Sequence, residues 1–264
     1  MVKQIRIGAL ISGGGSNLQA IIEACAAKQI DGQVVFVGSD NPEAQGLDRA
    51  RRHGIATFVV DYKAIFEQAK GQPLDELIPP DFDLDNVLAM QCLVPGASDR
   101  EKMARYFGIR AAAEAALLKK MVGYPFDLLV LAGFMRVLTP YFIDRVNTDP
   151  SLPRIMNIHP ALLPSFPGTD GYGDTYRYGC KVGGCTVHFV DYGEDTGAII
   201  GQKAFEIEPE DTVETVREKG LKLEWELYPA CIQLFAKKRM RVLAKPHRVV
   251  NGTTTTRKVV EIVT

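Results

Sequence analysis

Asn157 and His159 stand two residues apart in "IMNIHPALLPSFPG" (155–168), where an apolar run gives way to three prolines. An Asn amide can donate to a developing oxyanion, and a His can give or take a proton near neutral pH. In a strand, residues two apart face the same side, here roughly 7 Å apart at about 3.3 Å per residue. Such a pair suits attack on a carbonyl carbon through a tetrahedral intermediate. A carboxylate to orient the imidazole is missing locally. "VDYGEDTG" (190–197) offers Asp195, with Asp191 and Glu194 as competitors. No Ser or Cys stands in a nucleophile elbow, so the substrate is expected to bring its own nucleophile.

A second chemical candidate is "ISGGGSN" (11–17), a glycine loop after an apolar run. Backbone N–H groups of such a loop, with the positive end of a helix, make a site for an anion, most naturally phosphate. Gly13, Gly14 and Gly15 permit close approach, and Ser16 and Asn17 add side-chain donors. No Lys-Ser or Lys-Thr pair follows, so the loop is not of the Walker type, and Leu18 replaces the third glycine of a dinucleotide fingerprint. The plain alternative is a tight turn with no ligand.

These residues need a frame. "IRIGALIS" (5–12), "QVVFVGSD" (33–40), "ATFVVD" (56–61), "FDLLVLAGF" (126–134) and "RIMNIH" (154–159) read as buried strands. Helical patterns lie between the early ones, such as "NLQAIIEACAAK" and "AQGLDRARRHG", the latter closed by Gly54. Alternation without two-residue hairpin turns predicts a parallel sheet covered on both faces, which puts Asn157 and His159 at a carboxyl-end rim. Pro160 stops the ladder there. "CTVHFVDYGEDTGAIIGQKAFEIE" (185–208) reads as two antiparallel strands added on one side, followed by a helix from about Thr212 to Lys237. Ser98 with Glu101 and Asp211 with Glu214 read as capping boxes. The tail reads as short strands turned at Asn251-Gly252. Residues 62–97 show no clean period and read as a lid, interaction surface or mobile insertion. The whole is expected to be one α/β domain, with a phosphate-binding half over 1–140 and a catalytic half over 141–264.

The 264 residues are 46% hydrophobic and 24% charged, with a formal net charge of −1. That balance gives no basic field for nucleic acid or membrane surfaces, and no apolar run reaches a membrane span. Five cysteines without a CxxC pair predict a reducing cytoplasm. Cys180, Cys185 and His188 match no standard zinc spacing, so no metal is expected.

"ISGGGSNLQAII", "LVLAGFMRVLTP", "NIHPALLPSFPG", "VHFVDYGEDTGAII" and "EWELYP" follow in an order that resembles the phosphoribosylglycinamide formyltransferases, folate-dependent enzymes of purine synthesis. The resemblance covers most of residues 5–61 and 98–240. It implies a Rossmann-like formyltransferase fold that moves a formyl group from 10-formyltetrahydrofolate to glycinamide ribonucleotide, as a monomer or homodimer. By matching motifs, Asn157, His159 and Asp195 would be catalytic. Gly14, Gly15, Ser16 and Asn17 would hold the phosphate, Pro160 would border the substrate and Glu224 would bind the ribose. Arg100 in "SDRE" would reach the folate side or the region between the two sites. Met135, Arg136, Val137 and Leu138, with the loop Val190, Asp191, Tyr192 to Asp195, would line the pterin pocket.

Three places depart from the family's pattern: residues 62–97 are longer, "TDGYGDTYRYGCKVGG" lacks the histidines often found there, and Leu223 precedes Glu224 in an apolar stretch. A formyltetrahydrofolate hydrolase is expected to carry an extra N-terminal domain, and a methionyl-tRNA formyltransferase a larger basic C-terminal one. Formylation of an amino-sugar nucleotide would use the same trio. A non-catalytic sensor of a phosphorylated metabolite would need only the glycine loop.

Overall fold

A computed structural model describes residues 4–94, 96, 99–149, 151–248 and 254–263. Strand β1 (Ile5–Ile11) is followed by α1 (Ser16–Ala26), β2 (Gly32–Ser39), α2 (Gly46–Arg52) and β3 (Ala56–Val59). Next come α3 (Tyr62–Ala69), α4 (Leu74–Leu77), α5 (Leu84–Met90) and the long α6 (Arg100–Met121). β4 (Leu128–Leu131), α7 (Pro140–Val146), β5 (Ile155–His159) and α8 (Gly171–Arg177) lead to the antiparallel pair β6 (Val182–Phe189) and β7 (Ile199–Glu206). The chain ends in α9 (Val213–Ala236), β8 (Met240–Arg248) and β9 (Thr254–Ile262).

Seven strands form one sheet in the order β3-β2-β1-β4-β5-β6-β7. The pairs from β3 through β5 are parallel, and the two pairs involving β6 are antiparallel. Strand alternation divides the core between the two faces. Ile7, Ala9, Ile11, Val130 and Met156 pack with Leu18 and Ile21 of α1 and Tyr228 and Ile232 of α9. Leu10, Leu129, Leu131 and Ile155 pack the other way, with Leu117 of α6 and Phe142 of α7. The chain leaves β1 toward β2 and later returns to β1's other side with β4. That reversal opens a crevice beyond the carboxyl ends of β1 and β4, where open α/β sheets hold ligands.

Several expectations are corrected. Residues 62–97 contain three helices of eight, four and seven residues. Helices this short fall below the window in which a helical period is visible, and Pro73, Pro79 and Pro80 interrupt the pattern further. Val87 of α5 packs against Phe107 and Ala111 of α6. The α6 cap is Asp99, which accepts from the Lys102 N–H, while Ser98 lies outside the described residues. On α9 the reciprocal box is Thr212 with Thr215. Asp211 instead accepts from the Thr215 hydroxyl at 2.8 Å and pairs with Lys219 at 2.6 Å. The tail strands are nine residues each and form a separate two-stranded sheet. The Asn251-Gly252 turn lies outside the described residues. Among the described residues no helix is long and apolar enough to cross a membrane.

Candidate active site

The crevice is a cleft of about 450 Å³ bordered by the ends of β1, β4 and β5, by α8 and by α9. At its β1 end the loop turns through Gly15, whose φ of 71° suits glycine, and a Cβ there would meet the Gly46 Cα at 2.8 Å. Gly13 and Gly14 face open space. Among the described residues no side chain caps α1, so its first N–H groups remain available beside the cleft. Arg49 of α2 borders the same corner, its Nε donating to the Gly14 carbonyl at 2.8 Å.

Asn17, Tyr172 and Glu224 meet below this loop. Asn17 Nδ2 donates to one Glu224 oxygen at 2.6 Å and the Tyr172 hydroxyl to the other at 2.6 Å. Glu224 is 4% exposed, and burial raises its pKa against these two donors. Tyr172 fits here because α9 has Gly220 at the crossing: a Cβ there would meet the phenol ring at 2.1 Å. The Asn17 Oδ1 is buried without a partner.

At the end of β5, His159 is 2% exposed and held at both ring nitrogens. Nε2 faces the Phe166 carbonyl at 2.7 Å, and Nδ1 faces Asp195 Oδ2 at 3.2 Å. A carbonyl can only accept, so Nε2 carries a proton, and Nδ1 is the nitrogen whose protonation the Asp195 carboxylate favours. Burial pulls the His159 pKa below its ordinary value, against the opposing pulls of Asp195 and the Phe166 carbonyl. Asp195 adopts φ 54°, a left-handed conformation that Asp tolerates, and its Oδ2 also accepts from the Gly168 N–H at 3.0 Å. Burial acts to raise its pKa, but His188, His159 and the Gly168 N–H together hold it below the usual carboxylate range. Asp195, not Asp191 or Glu194, is therefore the carboxylate that reaches the imidazole.

Asn157 lies directly across the β5–β6 ladder from His188. His188 Nδ1 faces the Phe189 carbonyl at 2.8 Å, and its Nε2 lies 3.2 Å from Asn157 Nδ2 and 3.5 Å from Asp195 Oδ1. The second Asn157 amide hydrogen has only a long contact, 3.5 Å, to Asp195 Oδ1. That hydrogen can turn to a developing oxyanion at little cost.

The far wall is the segment 133–138 after β4, with Met135 (57% exposed) and Val137 (37%) giving it an apolar surface. Val190 faces it. Of the residues anticipated from sequence, Gly14, Gly15, Ser16, Asn17, Met135, Arg136, Val137, Leu138, Asn157, His159, Pro160, Val190, Asp195 and Glu224 all border the cleft. Three do not. Arg100 is on the surface at the start of α6, paired with Asp85 at 2.7 Å. Asp191 accepts from the Thr196 hydroxyl and the Gly193 N–H, shaping its own loop. The Tyr192 hydroxyl donates to Asp144 at 2.6 Å, and its carbonyl accepts from the Cys92 N–H, tying the segment after α5 to this loop. Arg49, Tyr172 and His188 were not anticipated. Only for His188 was a signal available: it is the cross-strand neighbour of Asn157 once β5 and β6 are paired. Among the described residues no cluster of His, Cys, Asp and Glu is arranged to hold a metal ion.

A family model described as formyl transferase matches residues 5–232. The phosphoribosylglycinamide formyltransferase of Bacillus subtilis (strain 168) is 32% identical over 222 residues, covering 84% of this chain and 90% of that one. The trifunctional purine biosynthetic protein adenosine-3 of Homo sapiens is 32% identical over 89% of this chain, which spans 18% of that longer protein. The crystal structure of glycinamide ribonucleotide transformylase 1 from Symbiobacterium toebii superposes with a TM-score of 0.72 at 34% identity, covering 100% of this chain and 96% of that chain. With a family match over most of its length and relatives above 30% identity along both sequences, the chain belongs to the formyl transferase family.

Proposed function

We propose that the chain transfers a formyl group from 10-formyltetrahydrofolate to the amine of glycinamide ribonucleotide, by direct attack and without a covalent enzyme intermediate. The observation that carries this reading is the position of Asn157, His159 and Asp195. They stand between an N-terminal helix end suited to phosphate and an apolar wall suited to a flat heterocycle. The names of the relatives, a phosphoribosylglycinamide formyltransferase, a glycinamide ribonucleotide transformylase and a purine biosynthetic protein, agree with it.

In this scheme the α1 N–H groups and Ser16 hold the phosphate, Glu224 receives ribose hydroxyls, and the wall Met135–Leu138 with Val190 takes the pterin. As the amine attacks the formyl carbon, Asn157 donates to the oxygen that becomes negative. His159, protonated at Nδ1 under the influence of Asp195, stabilises the same charge. The proton leaving the amine is passed through His159 and water to the departing folate nitrogen. Direct attack is supported by the nucleophile inventory. Cys25, Cys185 and Cys231 are driven by burial to pKa values of about 11, 12 and 12, and among the described residues no cysteine borders the cleft. Ser16 and Thr169 border it, but among the described residues neither hydroxyl is hydrogen-bonded to His159, whose ring nitrogens face Phe166 and Asp195.

The deciding assay supplies 10-formyltetrahydrofolate with and without glycinamide ribonucleotide. Deformylated folate is expected only when the ribonucleotide is present. Equal product without it identifies a hydrolase, and no product under either condition overturns the enzyme reading.

Arg49 gives this reading an independent handle, since among the described residues its guanidinium pairs with no carboxylate. Arg49→Met is expected to raise KM for the ribonucleotide about 10–100-fold with little change in kcat, the loss of one charged hydrogen-bonding partner. An unchanged KM places the phosphate elsewhere.

A further inference from the structure

The apolar wall of the cleft has no regular structure to hold it. Among the described residues, Phe134 and residues 136–138 make no backbone–backbone hydrogen bond. Three polar side chains from other elements set its course. Ser12 Oγ accepts from the Met135 N–H at 2.8 Å, and Asp40 pairs with Arg136 at 2.5 Å. At the far end, Glu114 of α6 takes both donors of Thr139: the backbone N–H at 2.7 Å and the hydroxyl at 2.5 Å.

Glu114 does not belong to the cleft lining and is 1% exposed. Burial raises its pKa to about 8, while the two bonds from Thr139 and the nearby Arg110 and Arg145 oppose this only in part. A leucine would fill similar volume without that desolvation cost. Thr139, itself fully buried, stands at the N-cap of α7 yet makes no side-chain capping bond, because its hydroxyl is turned toward Glu114. The usual local stabilisation of a helix start is thus exchanged for a tie to a different helix. The residue before Thr139 is Leu138, which faces the cleft. Fixing both the N–H and the hydroxyl of Thr139 therefore sets where the wall ends and at what angle it enters α7.

We infer that Glu114 is a positioning residue for the formyl-donor side of the cleft, acting through Thr139 on the wall Met135–Leu138. This inference rests on the assignment of that wall to the folate donor. It adds a residue from outside the cleft, in a helix that carries no reacting group.

Two variants test it. Glu114→Gln keeps the shape but replaces one of the two acceptors with a donor, and Thr139→Val keeps the N–H but removes the hydroxyl. Each should raise KM for 10-formyltetrahydrofolate about tenfold, the effect of one lost buried hydrogen bond. KM for glycinamide ribonucleotide and kcat should stay within about twofold of the parent, because the glycine loop and the Asn157–His159–Asp195 group hang from other elements. A lowered melting temperature with both KM values unchanged, or an equal rise in the two, overturns the inference and leaves Glu114 a purely structural residue. Thr139→Val supplies the answer should Glu114→Gln fail to fold. The parent enzyme separates the two levels: if it does not use the folate donor, the functional assignment fails. If it does and the KM split is absent, only the role of Glu114 fails.

Discussion

Alanine at Asn157 or at His159 is expected to leave a folded chain whose turnover has dropped at least a hundredfold. Removing one oxyanion donor typically costs about 10²–10³ in rate, and removing a general acid–base about 10²–10⁴. Folding should survive because the β5 ladder is made by backbone groups, which neither replacement touches. Asn157→Ala deletes an amide whose partners are His188 and the long contact to Asp195. His159→Ala leaves a cavity and removes the Phe166 and Asp195 contacts, so its melting temperature should fall by a few degrees more than that of Asn157→Ala. Turnover and a thermal melt on each purified variant check this. Near-normal turnover in either variant would remove that side chain from the chemistry.

Much of this arrangement was legible because strand periodicity is a local signal. The apolar run of β1, the glycine loop after it and the Asn-x-His at the end of β5 each sit within a few residues, and parallel order follows from the spacing of strands and helices. For the carboxylate, Asp195 is the candidate, and the residue pattern alone leaves Asp191 and Glu194 as competitors. Asp191, Glu194 and Asp195 share one loop, and only the left-handed turn at Asp195 aims its side chain at His159. Tyr172 and Arg49 reach the cleft from α8 and α2, and their convergence on Glu224 and Gly14 depends on helix packing over separations of 52 and 35 residues. No pattern within a window of the sequence carries such information. Misread caps have the opposite origin. Asp99 and Thr212 lie one residue beyond the expected Ser98 and Asp211, and in each place two adjacent residues are chemically able to cap. The strongest competitor is decided by where the first helical turn begins, which the flanking packing sets.

Asp195→Asn is expected to reduce turnover about 10²–10⁴-fold and to move the alkaline limb of the rate profile to lower pH. The substitution preserves size, and Asn adopts the φ 54° conformation at least as readily as Asp, so the loop should keep its course. What changes is charge. The carboxylate raises the proton affinity of His159 against the burial that lowers it. Without that charge the burial effect is less opposed, so the imidazole gives up its Nδ1 proton at lower pH than in the parent. Nε2 cannot compensate, because its hydrogen is committed to the Phe166 carbonyl. If the protonated ring is the form that stabilises the oxyanion, activity is lost as pH rises through the His159 pKa, and a lowered pKa shifts that loss acidward. A His159 acting mainly as a base would show the reverse, with its acid limb moving to lower pH and activity retained on the alkaline side. Measuring kcat against pH for the parent and for Asp195→Asn separates the two roles by the limb that moves, and a profile of unchanged shape with turnover within tenfold would remove Asp195 from proton handling.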